Sequence, residues 1–325
     1  MRVAVLGAGA WGTAISCVLA ARLEVSLWAR DAAHAATIGA TRRNERYLPG
    51  FELPSTVRVT AELSEATRDA QLLLAATPVA GLRSLLGALA APAPLVWLCK
   101  GFEGGTGELP HQIARAMLGS KGRFGALSGP SFAEEVARGL PCALTLASED
   151  AAFARESAAL LHGGRMRVYY SRDLVGVEIG GAVKNVMAIA AGISDGMGLG
   201  LNARAALITR GLAEIARLGA ALGGEPETFM GLAGAGDLIL TATGDLSRNR
   251  RVGMELARGR PIKDIVATLG HVAEGVHSAR EVAKLAAKHR VDMPVSEAVC
   301  AVLDARITPA AAVERLLARE SKMER

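Results

Sequence analysis

The first thirty residues constrain this chain more than any other segment. A short apolar run at 2–6 is followed at once by the glycine-rich turn GAGAWG at 7–12 and by an apolar stretch at 13–21. The order strand, glycine turn and helix suits a dinucleotide pyrophosphate, because the helix N-terminus faces the negative charge. Since the residues at 24–28 supply the second strand of a βαβ unit, we predict a dinucleotide site here rather than an ordinary turn.

The residues of this turn have different expected roles. Gly7 permits the tight turn, Gly9 lets the backbone approach the phosphates, and Gly12 lets the helix pack on the strand. Trp11 lies inside the turn and either covers the cofactor or packs on the sheet.

The end of the second predicted strand bears on the choice between NADH and NADPH. A carboxylate at this place holds the ribose 2′-hydroxyl, whereas an arginine suits a 2′-phosphate. Arg30 therefore favours NADPH or the use of both forms, although Asp31 keeps NADH open and Arg30 could simply be solvated.

Length and charge narrow the class of protein. The chain has 325 residues, of which 50% are hydrophobic, so it can bury a large core and suggests about two domains. Its net charge of +5 arises from 37 basic and 32 acidic residues scattered without a long basic block. That pattern favours small anionic ligands and predicts no nucleic-acid partner.

Cysteine and histidine patterns exclude further classes. The four cysteines are far apart, without a CxxC pair or a histidine at ligand spacing, which indicates a reduced cytoplasmic protein and no metal site. No serine nucleophile elbow is present, so hydrolysis is disfavoured. Lys184 interrupts the most apolar helix, and Pro92 and Pro94 break another apolar run, so we expect no membrane span.

The order of apolar runs predicts an α/β chain of two domains. Up to about residue 170, short apolar runs alternate with helical patterns, and the segment 42–54 is predicted to be a loop. From Leu174 onward the patterns are helical. We predict a Rossmann-like, doubly wound parallel sheet at 1–172 that binds the dinucleotide, and an all-helical substrate and catalytic domain at 173–325. The candidate strands are Val3–Leu6, Val25–Trp28, Leu72–Ala75, Leu95–Leu98, Gly125–Leu127, Cys142–Ala147 and Val168–Tyr170.

Lys184 is the most informative residue beyond the glycines. It lies in the middle of an apolar helical run, where burying an ammonium is costly. Desolvation lowers the pKa of an ammonium, so such a lysine can move a proton near neutrality. The alternative is a snorkelling lysine whose charged end reaches water. Asn185 beside it could orient a substrate or cap a carbonyl.

A second cluster follows later in the chain. Asp237 could pair with Lys184, while Ser247, Arg248 and Asn249 offer charge and hydrogen-bond donors suited to a phosphate. The alternative makes Asp237 a turn residue or helix cap and the arginine part of a solvated face.

Two loops of the first domain follow predicted strands. Lys100 comes at the carboxyl end of a strand, where ligands of open α/β sheets collect. The segment Ser128–Glu135 also follows a strand and opens a helix, so its amides could meet an anionic ligand. Each loop could instead be only a turn and cap.

Taken together, these segments resemble the bacterial type of NAD(P)-dependent glycerol-3-phosphate dehydrogenases. The match covers essentially the whole chain in order, and no motif residue is missing. Its motifs are GAGAWGTA at 7–14, LWARD at 27–31, NERYLPG at 44–50, CKGFE at 99–103, SGPSFAEE at 128–135, GGAVKNVMAIAAGISDGMGLGLNARAALITRG at 180–211, GLAGAGDLILT at 231–241, SRNRRVG at 247–253 and VAEGVHSA at 272–279.

The resemblance implies reversible reduction of dihydroxyacetone phosphate to sn-glycerol 3-phosphate with NADPH or NADH, which supplies the glycerophospholipid precursor. It implies Lys184 as the proton donor and acceptor, aided by Lys100 and Asp237, and a homodimer as the usual assembly. The positions that resemble substrate contacts are Lys100, Gly129, Ser131, Lys184, Asp237, Ser247, Arg248 and Asn249. Besides Gly7, Gly9 and Gly12, those that resemble cofactor contacts are Ala10, Trp11, Arg30, Lys100, Ala133, Arg248, Val272 and Glu274.

Two other functions remain open at this point. One is a dehydrogenase of the same two-domain plan acting on a β-hydroxy acid or ketopantoate, against which the segment Ser247–Asn249 argues, because a carboxylate substrate needs no phosphate anchor. The other is a non-catalytic NADPH-binding sensor in which Lys184 is structural.

Overall fold

The computed structural model describes residues 1–90, 93–119, 122–269 and 274–319. The chain divides into two compact units, Met1–Glu178 and Ile179–Arg325. The division lies six residues beyond the predicted boundary at 172 and falls inside a helix. The separate roles predicted for the two domains stay a prediction.

An eight-stranded sheet organises the first unit, in the order β10-β9-β8-β7-β6-β1-β2-β5. Helices α1 to α7 alternate with the strands. The strands are β1 (Arg2–Leu6), β2 (Glu24–Trp28), β3 (Arg43–Asn44), β4 (Leu48–Glu52), β5 (Arg58–Thr60), β6 (Leu72–Ala75), β7 (Leu95–Trp97), β8 (Phe124–Ser128), β9 (Cys142–Ala147) and β10 (Met166–Ser171). The helices are α1 (Ala10–Leu19), α2 (Ala32–Thr41), α3 (Leu63–Thr67), α4 (Val79–Gly87), α5 (Pro110–Leu118), α6 (Ala133–Ala137) and α7 (Ala151–Leu161).

The core of this unit lies at the middle of the sheet. All four residues of β6 are buried, as are Val3 to Leu6 of β1. Strands covered on both faces have continuous apolar runs rather than alternating ones, and both sequences have that form. The seven predicted strands are all present within two residues of their expected ends, and the Rossmann-like fold class is confirmed.

Two details of the sheet differ from the sequence prediction. Strand β9 pairs antiparallel with β8, so β9 and β10 run opposite to the six other strands. The connection through α6 is long enough for either direction, and the apolar pattern does not encode direction. The short edge strand β5 was missed.

The prediction of a loop at 42–54 was wrong. Strands β3 and β4 form an antiparallel hairpin there, with a register shift between Arg43 and Asn44. Pro49 and Gly50 made β4 resemble a loop in the sequence, because proline and glycine are rare inside strands. They are tolerated here because the outer edge of a two-stranded ribbon makes no ladder hydrogen bonds.

The second unit is helical, and its described residues contain no strand. A π-helical turn at Leu232–Gly236 interrupts the series between α10 and α11. The helices are α8 (Leu174–Gly196), α9 (Gly200–Ala221), α10 (Pro226–Met230), α11 (Asp237–Thr243), α12 (Arg248–Ala257), α13 (Ile262–Leu269), α14 (Glu274–His289), α15 (Pro294–Leu303) and α16 (Pro309–Leu317). Sequence analysis did not identify α10 and α11 as separate helices, because they are only five and seven residues long.

Helix α8 is the longest helix of the described chain. By length and composition it could cross a membrane, although Lys184 was expected to exclude every such window. However, 94% of its apolar window is buried inside the protein. That burial is typical of a core helix and explains why the segment shows so little periodicity.

Helices α8 and α12 pack backbone to backbone. A Cβ atom added to Gly253 would lie 2.1 Å from the Ile189 carbonyl oxygen, and one added to Gly192 would lie 2.0 Å from the Arg250 carbonyl oxygen. Glycines at both positions therefore set the separation of the two helices and bring Asn249 to Asn185.

We predict that Gly253→Ala destabilises the protein, because an extra methyl group here meets main-chain atoms that cannot move cheaply. Overpacking of this kind costs about 1–3 kcal/mol. The check is the thermal midpoint, which should fall by several degrees. The control is Gly39→Ala in α2, where a Cβ has nothing within 4 Å. An unchanged midpoint for Gly253→Ala would contradict the close packing.

Candidate active site

The glycine turn has the shape that a dinucleotide pyrophosphate requires. Gly7 has a φ of +129°, and a Cβ there would lie 2.7 Å from the Ala76 carbonyl oxygen. A Cβ on Gly12 would lie 1.9 Å from the Gly7 carbonyl oxygen, whereas one on Gly9 would meet no atom within 4 Å. The space beside Gly9 is therefore open, and the backbone can closely approach a ligand there.

The start of α1 adds a favourable field. Gly9 is its N-cap, so no side chain caps the first amides, and the first turn holds no acidic residue. Free amides and the positive end of the helix dipole suit a phosphate. The turn thus fits the dinucleotide expected from the sequence.

Three predicted cofactor contacts lie in one apolar cluster. Ala10, Trp11 and Ala133 pack against the buried side chains of Ala14 and Val136. Helix α6 lies against α1, which brings Ala133 to the glycine turn. Trp11 is only partly buried and also packs on the core of the sheet, which is one of its two expected roles.

Arg30 and Asp31 differ in their local partners. The carboxylate of Asp31 caps α2, accepting hydrogen bonds from the amides of Ala33 at 2.9 Å and His34 at 3.2 Å. Arg30 immediately precedes it and is exposed. Of the two side chains, Asp31 therefore has a structural role already, and Arg30 remains accessible to a ligand.

In the first unit, two polar side chains donate hydrogen bonds to the same backbone carbonyl, that of Gly129. Lys100 Nζ donates a hydrogen bond to the Gly129 carbonyl oxygen at 3.2 Å, and Ser131 Oγ donates to the same oxygen at 3.0 Å. Gly129 has a φ of +136° and a buried backbone, which places that oxygen between them. The structure thus brings together three residues that sequence analysis named from two separate motifs.

An ion pair that sequence analysis missed holds the loop after Lys100. Arg83 on α4 contacts both carboxylate oxygens of Glu103, at 2.9 and 2.7 Å. Thr106 Oγ1 also donates to Glu103, and the hydrogen bond from Arg83 is the main reason that the pKa of Glu103 is lowered. Bidentate pairing fixes orientation as well as position, so this clamp stiffens the segment that carries Lys100.

Lys184 is buried in the second unit beside a carboxylate. It is 7% exposed, and its Nζ forms an ion pair with Asp237, which is 1% exposed. Nζ also donates to Thr241 Oγ1 at 2.9 Å, and that hydroxyl donates to the Asp237 carbonyl oxygen at 2.6 Å. The whole residue is nearly excluded from solvent, unlike a snorkelling lysine whose charged end extends into water.

Close packing around the π-helical turn places Asp237. A Cβ on Gly234 would lie 2.1 Å from the Phe229 carbonyl oxygen, and one on Gly180 would lie 2.5 Å from the Ala233 carbonyl oxygen. The glycines therefore let the turn press against α8, one helical turn from Lys184. Thr241 follows Asp237 by four residues and so shares its helix face, a spacing visible in the sequence.

The segment Ser247–Asn249 divides into three local roles. Ser247 caps α12 by accepting a hydrogen bond from the Arg250 amide at 3.2 Å, a role that the sequence analysis did not predict. Asn249 is buried, donates to Asn185 Oδ1 at 3.0 Å and accepts from the Gly275 amide at 3.1 Å. Arg248 is exposed and has no ion pair with the described residues of the second unit.

Glu274, another predicted cofactor contact, is the first residue of α14. Asn185 Nδ2 donates to Glu274 Oε2 at 3.5 Å, which joins the neighbour of Lys184 to this helix. Val272 lies outside the described residues. Among the described residues, no group of three or more acidic, cysteine or histidine side chains could hold a metal ion.

Comparison with known proteins decides the family. Models of the N-terminal and C-terminal parts of NAD-dependent glycerol-3-phosphate dehydrogenase match residues 2–154 and 173–314. The chain belongs to the NAD-dependent glycerol-3-phosphate dehydrogenase family. It is therefore an NAD(P)-dependent oxidoreductase, as expected from its motifs.

Relatives and solved structures of this family match the whole chain. A glycerol-3-phosphate dehydrogenase of Aromatoleum aromaticum that uses NAD(P)+ is 61% identical, with all of both chains covered. The crystal structure of a glycerol-3-phosphate dehydrogenase from Coxiella burnetii is 40% identical, with a TM-score of 0.92 and 98% and 99% of the two chains covered. A ketopantoate reductase from Ralstonia eutropha is 19% identical, with a TM-score of 0.61 and 96% and 100% coverage, and shares the fold alone.

Proposed function

We propose that this protein catalyses the reversible, NAD(P)H-dependent reduction of dihydroxyacetone phosphate to sn-glycerol 3-phosphate, which supplies the glycerophospholipid precursor. The observation that carries the proposal is the buried cluster of Lys184, Asp237 and Thr241 in a chain of this family. Burying a lysine and a carboxylate together is costly, so a pair of this kind is often retained for the use of its proton or its charge.

Lys184 acts as the proton donor in the reducing direction. The nicotinamide, when bound, supplies the hydride that reaches the carbonyl carbon. Negative charge then develops on the carbonyl oxygen, and the ammonium of Lys184 stabilises that oxygen and gives it a proton. Lys184 regains a proton from solvent before the next turnover, and in the oxidising direction it removes the hydroxyl proton.

Asp237 and Thr241 orient the ammonium. The Asp237 carboxylate holds the ammonium of Lys184 in place, because opposite charges at short range in a buried site attract strongly. The Thr241 hydroxyl donates to a backbone carbonyl, so its oxygen is turned to accept from Nζ. Two of the three ammonium hydrogens are thereby directed within the cluster.

The phosphate of the substrate is anchored by Arg248, with Ser247 and Asn249 beside it. Arg248 is exposed, and a guanidinium matches a phosphate with paired hydrogen bonds. Asn249 uses one amide hydrogen for Asn185, and the other remains for an anion. Lys100, Gly129 and Ser131 supply further substrate contacts, with Lys100 also serving catalysis.

The cofactor is NADPH, with NADH also accepted. The glycine turn, Ala10, Trp11 and Ala133 receive the dinucleotide, while Arg30 faces the 2′-phosphate, as supported by the capping role of Asp31. Arg248, Val272 and Glu274 complete the proposed contacts. We further propose a cytoplasmic homodimer without a nucleic-acid partner. The wide separation of the cysteines supports the location, and the family resemblance supports the dimer.

We predict that Lys184→Ala abolishes turnover and leaves NADPH binding largely intact. General acid and base catalysis contributes about 10²–10⁴-fold, so kcat should fall at least that far. The measurement is NADPH absorbance at 340 nm with dihydroxyacetone phosphate, alongside the Kd of NADPH. Lys184→Met, which keeps most of the side-chain volume, serves as the packing control. Near-normal turnover by a folded variant would exclude proton transfer by this lysine.

We predict that Arg248→Ala raises the KM for dihydroxyacetone phosphate strongly, because the phosphate loses a charged partner. Lost hydrogen bonds to a charged group cost about 1.5–3 kcal/mol, or roughly 10- to 100-fold in binding. The control is Arg258→Ala. Arg258 is an exposed arginine at the C-terminal end of α12, the helix that Arg248 begins, and it pairs with Glu255. A change confined to cofactor affinity would show that Arg248 does not hold the phosphate.

We predict that Arg30→Ala lowers the preference for NADPH over NADH. The 2′-phosphate loses its cation, whereas NADH has no group there to lose. The measurement is the ratio of kcat/KM for the two cofactors, with the exposed Arg46→Ala as the control. An unchanged ratio would remove Arg30 from the 2′-phosphate contact.

A further inference from the structure

We propose that Asn44 is a positioning residue that braces the glycine turn for the cofactor pyrophosphate. This inference rests on the proposed dinucleotide binding and concerns a residue outside the predicted site. Asn44 lies on the first strand of the hairpin, far from the turn in sequence, and is 1% exposed.

The side chain of Asn44 ties the turn to the helix that follows it. Its Nδ2 donates to the Ala8 carbonyl oxygen at 2.9 Å and to Thr13 Oγ1 at 2.7 Å. Ala8 directly precedes Gly9, and Thr13 lies one turn into α1. One amide group therefore spans the N-terminus of α1, where the backbone amides face the phosphates.

The brace matters because the turn has little support on its ligand side. Gly9 has open space beside it, with nothing within 4 Å of a Cβ position, and no side chain caps α1. Without a fixed Ala8 carbonyl, the peptide between Ala8 and Gly9 could rotate. Its amide would then lose its direction toward the pyrophosphate, and binding would incur an ordering cost.

The remainder of the hairpin supports the same place. Leu48 on β4 is buried with Ala14 and Val136, next to Ala10 and Trp11. The backbone amide of Tyr47 donates to the Asn44 carbonyl oxygen at 3.2 Å, which fixes the turn of the hairpin itself. The hairpin is thus packed against α1, and its role goes beyond joining α2 to β5.

Burying the side-chain amide of Asn44 costs free energy, which argues against a role in packing alone. Both Nδ2 hydrogens have acceptors, but Asn44 Oδ1 is buried and has no hydrogen-bond partner among the described residues. An unsatisfied buried oxygen costs about 1–3 kcal/mol. The two donated bonds require this orientation, because the reversed amide would set oxygen against the Ala8 carbonyl.

Aspartate is the sharpest substitution. Asn44→Asp keeps the size of the side chain but replaces the donor with an acceptor that repels the Ala8 carbonyl oxygen. It also adds negative charge near the phosphates. Asn44→Ala removes both bonds without adding charge and keeps the test decisive if the aspartate variant does not fold.

The experiment compares two ligands on the full-length protein. NADPH contains the pyrophosphate, whereas adenosine 2′-phosphate lacks it and reports the adenosine side alone. Dissociation constants are measured by calorimetry without substrate, alongside the thermal midpoint. The control is Ser148→Ala, which removes another buried bond from a side chain to the backbone, the 2.7 Å bond to the Phe124 carbonyl oxygen.

We expect Asn44→Asp and Asn44→Ala to raise the Kd of NADPH by roughly tenfold or more, the equivalent of two lost hydrogen bonds. The Kd of adenosine 2′-phosphate should change little, and kcat at saturating NADPH should be nearly retained. Ser148→Ala should lower the thermal midpoint, but it should not change the Kd of NADPH relative to the Kd of adenosine 2′-phosphate. Equal weakening of both ligands, or unchanged NADPH affinity, would overturn the inference. A wild-type protein that binds NADPH without reducing dihydroxyacetone phosphate would refute the proposed function alone.

Discussion

The buried ion pair of Lys184 and Asp237 determines much of the local architecture in the second unit. Two charges removed from water are stable only when they meet each other and their remaining hydrogens find acceptors. Thr241 supplies one such acceptor, and the close approach of the π-helical turn to α8 brings the carboxylate within reach. The glycines at 180 and 234 therefore make the ion pair possible, because the absence of their side chains permits that approach.

The first unit follows a different constraint, which is to leave backbone amides exposed and still hold them rigidly. A side-chain cap on α1 would satisfy those amides and compete with a phosphate. In this protein Gly9 offers no side-chain cap. The turn is held instead by the hydrogen bond from Asn44 to the Ala8 carbonyl oxygen and by the packing of Leu48 against α1. In the same way, the bidentate ion pair of Arg83 and Glu103 holds the segment that carries Lys100.

Local patterns predicted the features that are local. The glycine turn, the seven strands and the isolated lysine of α8 were visible because each depends on residues close in sequence. Asn44, Arg83 and the antiparallel direction of β9 were not, because each depends on a partner that the fold brings from elsewhere. Sequence analysis named Asp237 as a possible partner of Lys184 but left a turn or cap role open, because the contact depends on helix packing that the sequence pattern does not define.

The capping role of Asp31 has a consequence for redesign of nucleotide preference. In dinucleotide-binding folds of this architecture, an acidic group at the end of the second strand favours NADH because it holds the ribose 2′-hydroxyl. Here an acidic group is already present, but its oxygen is bound to the first turn of α2. Turning that carboxylate toward a ribose would disturb the oxygen that holds the start of the helix, whereas an acidic group introduced at the neighbouring position would leave the cap in place.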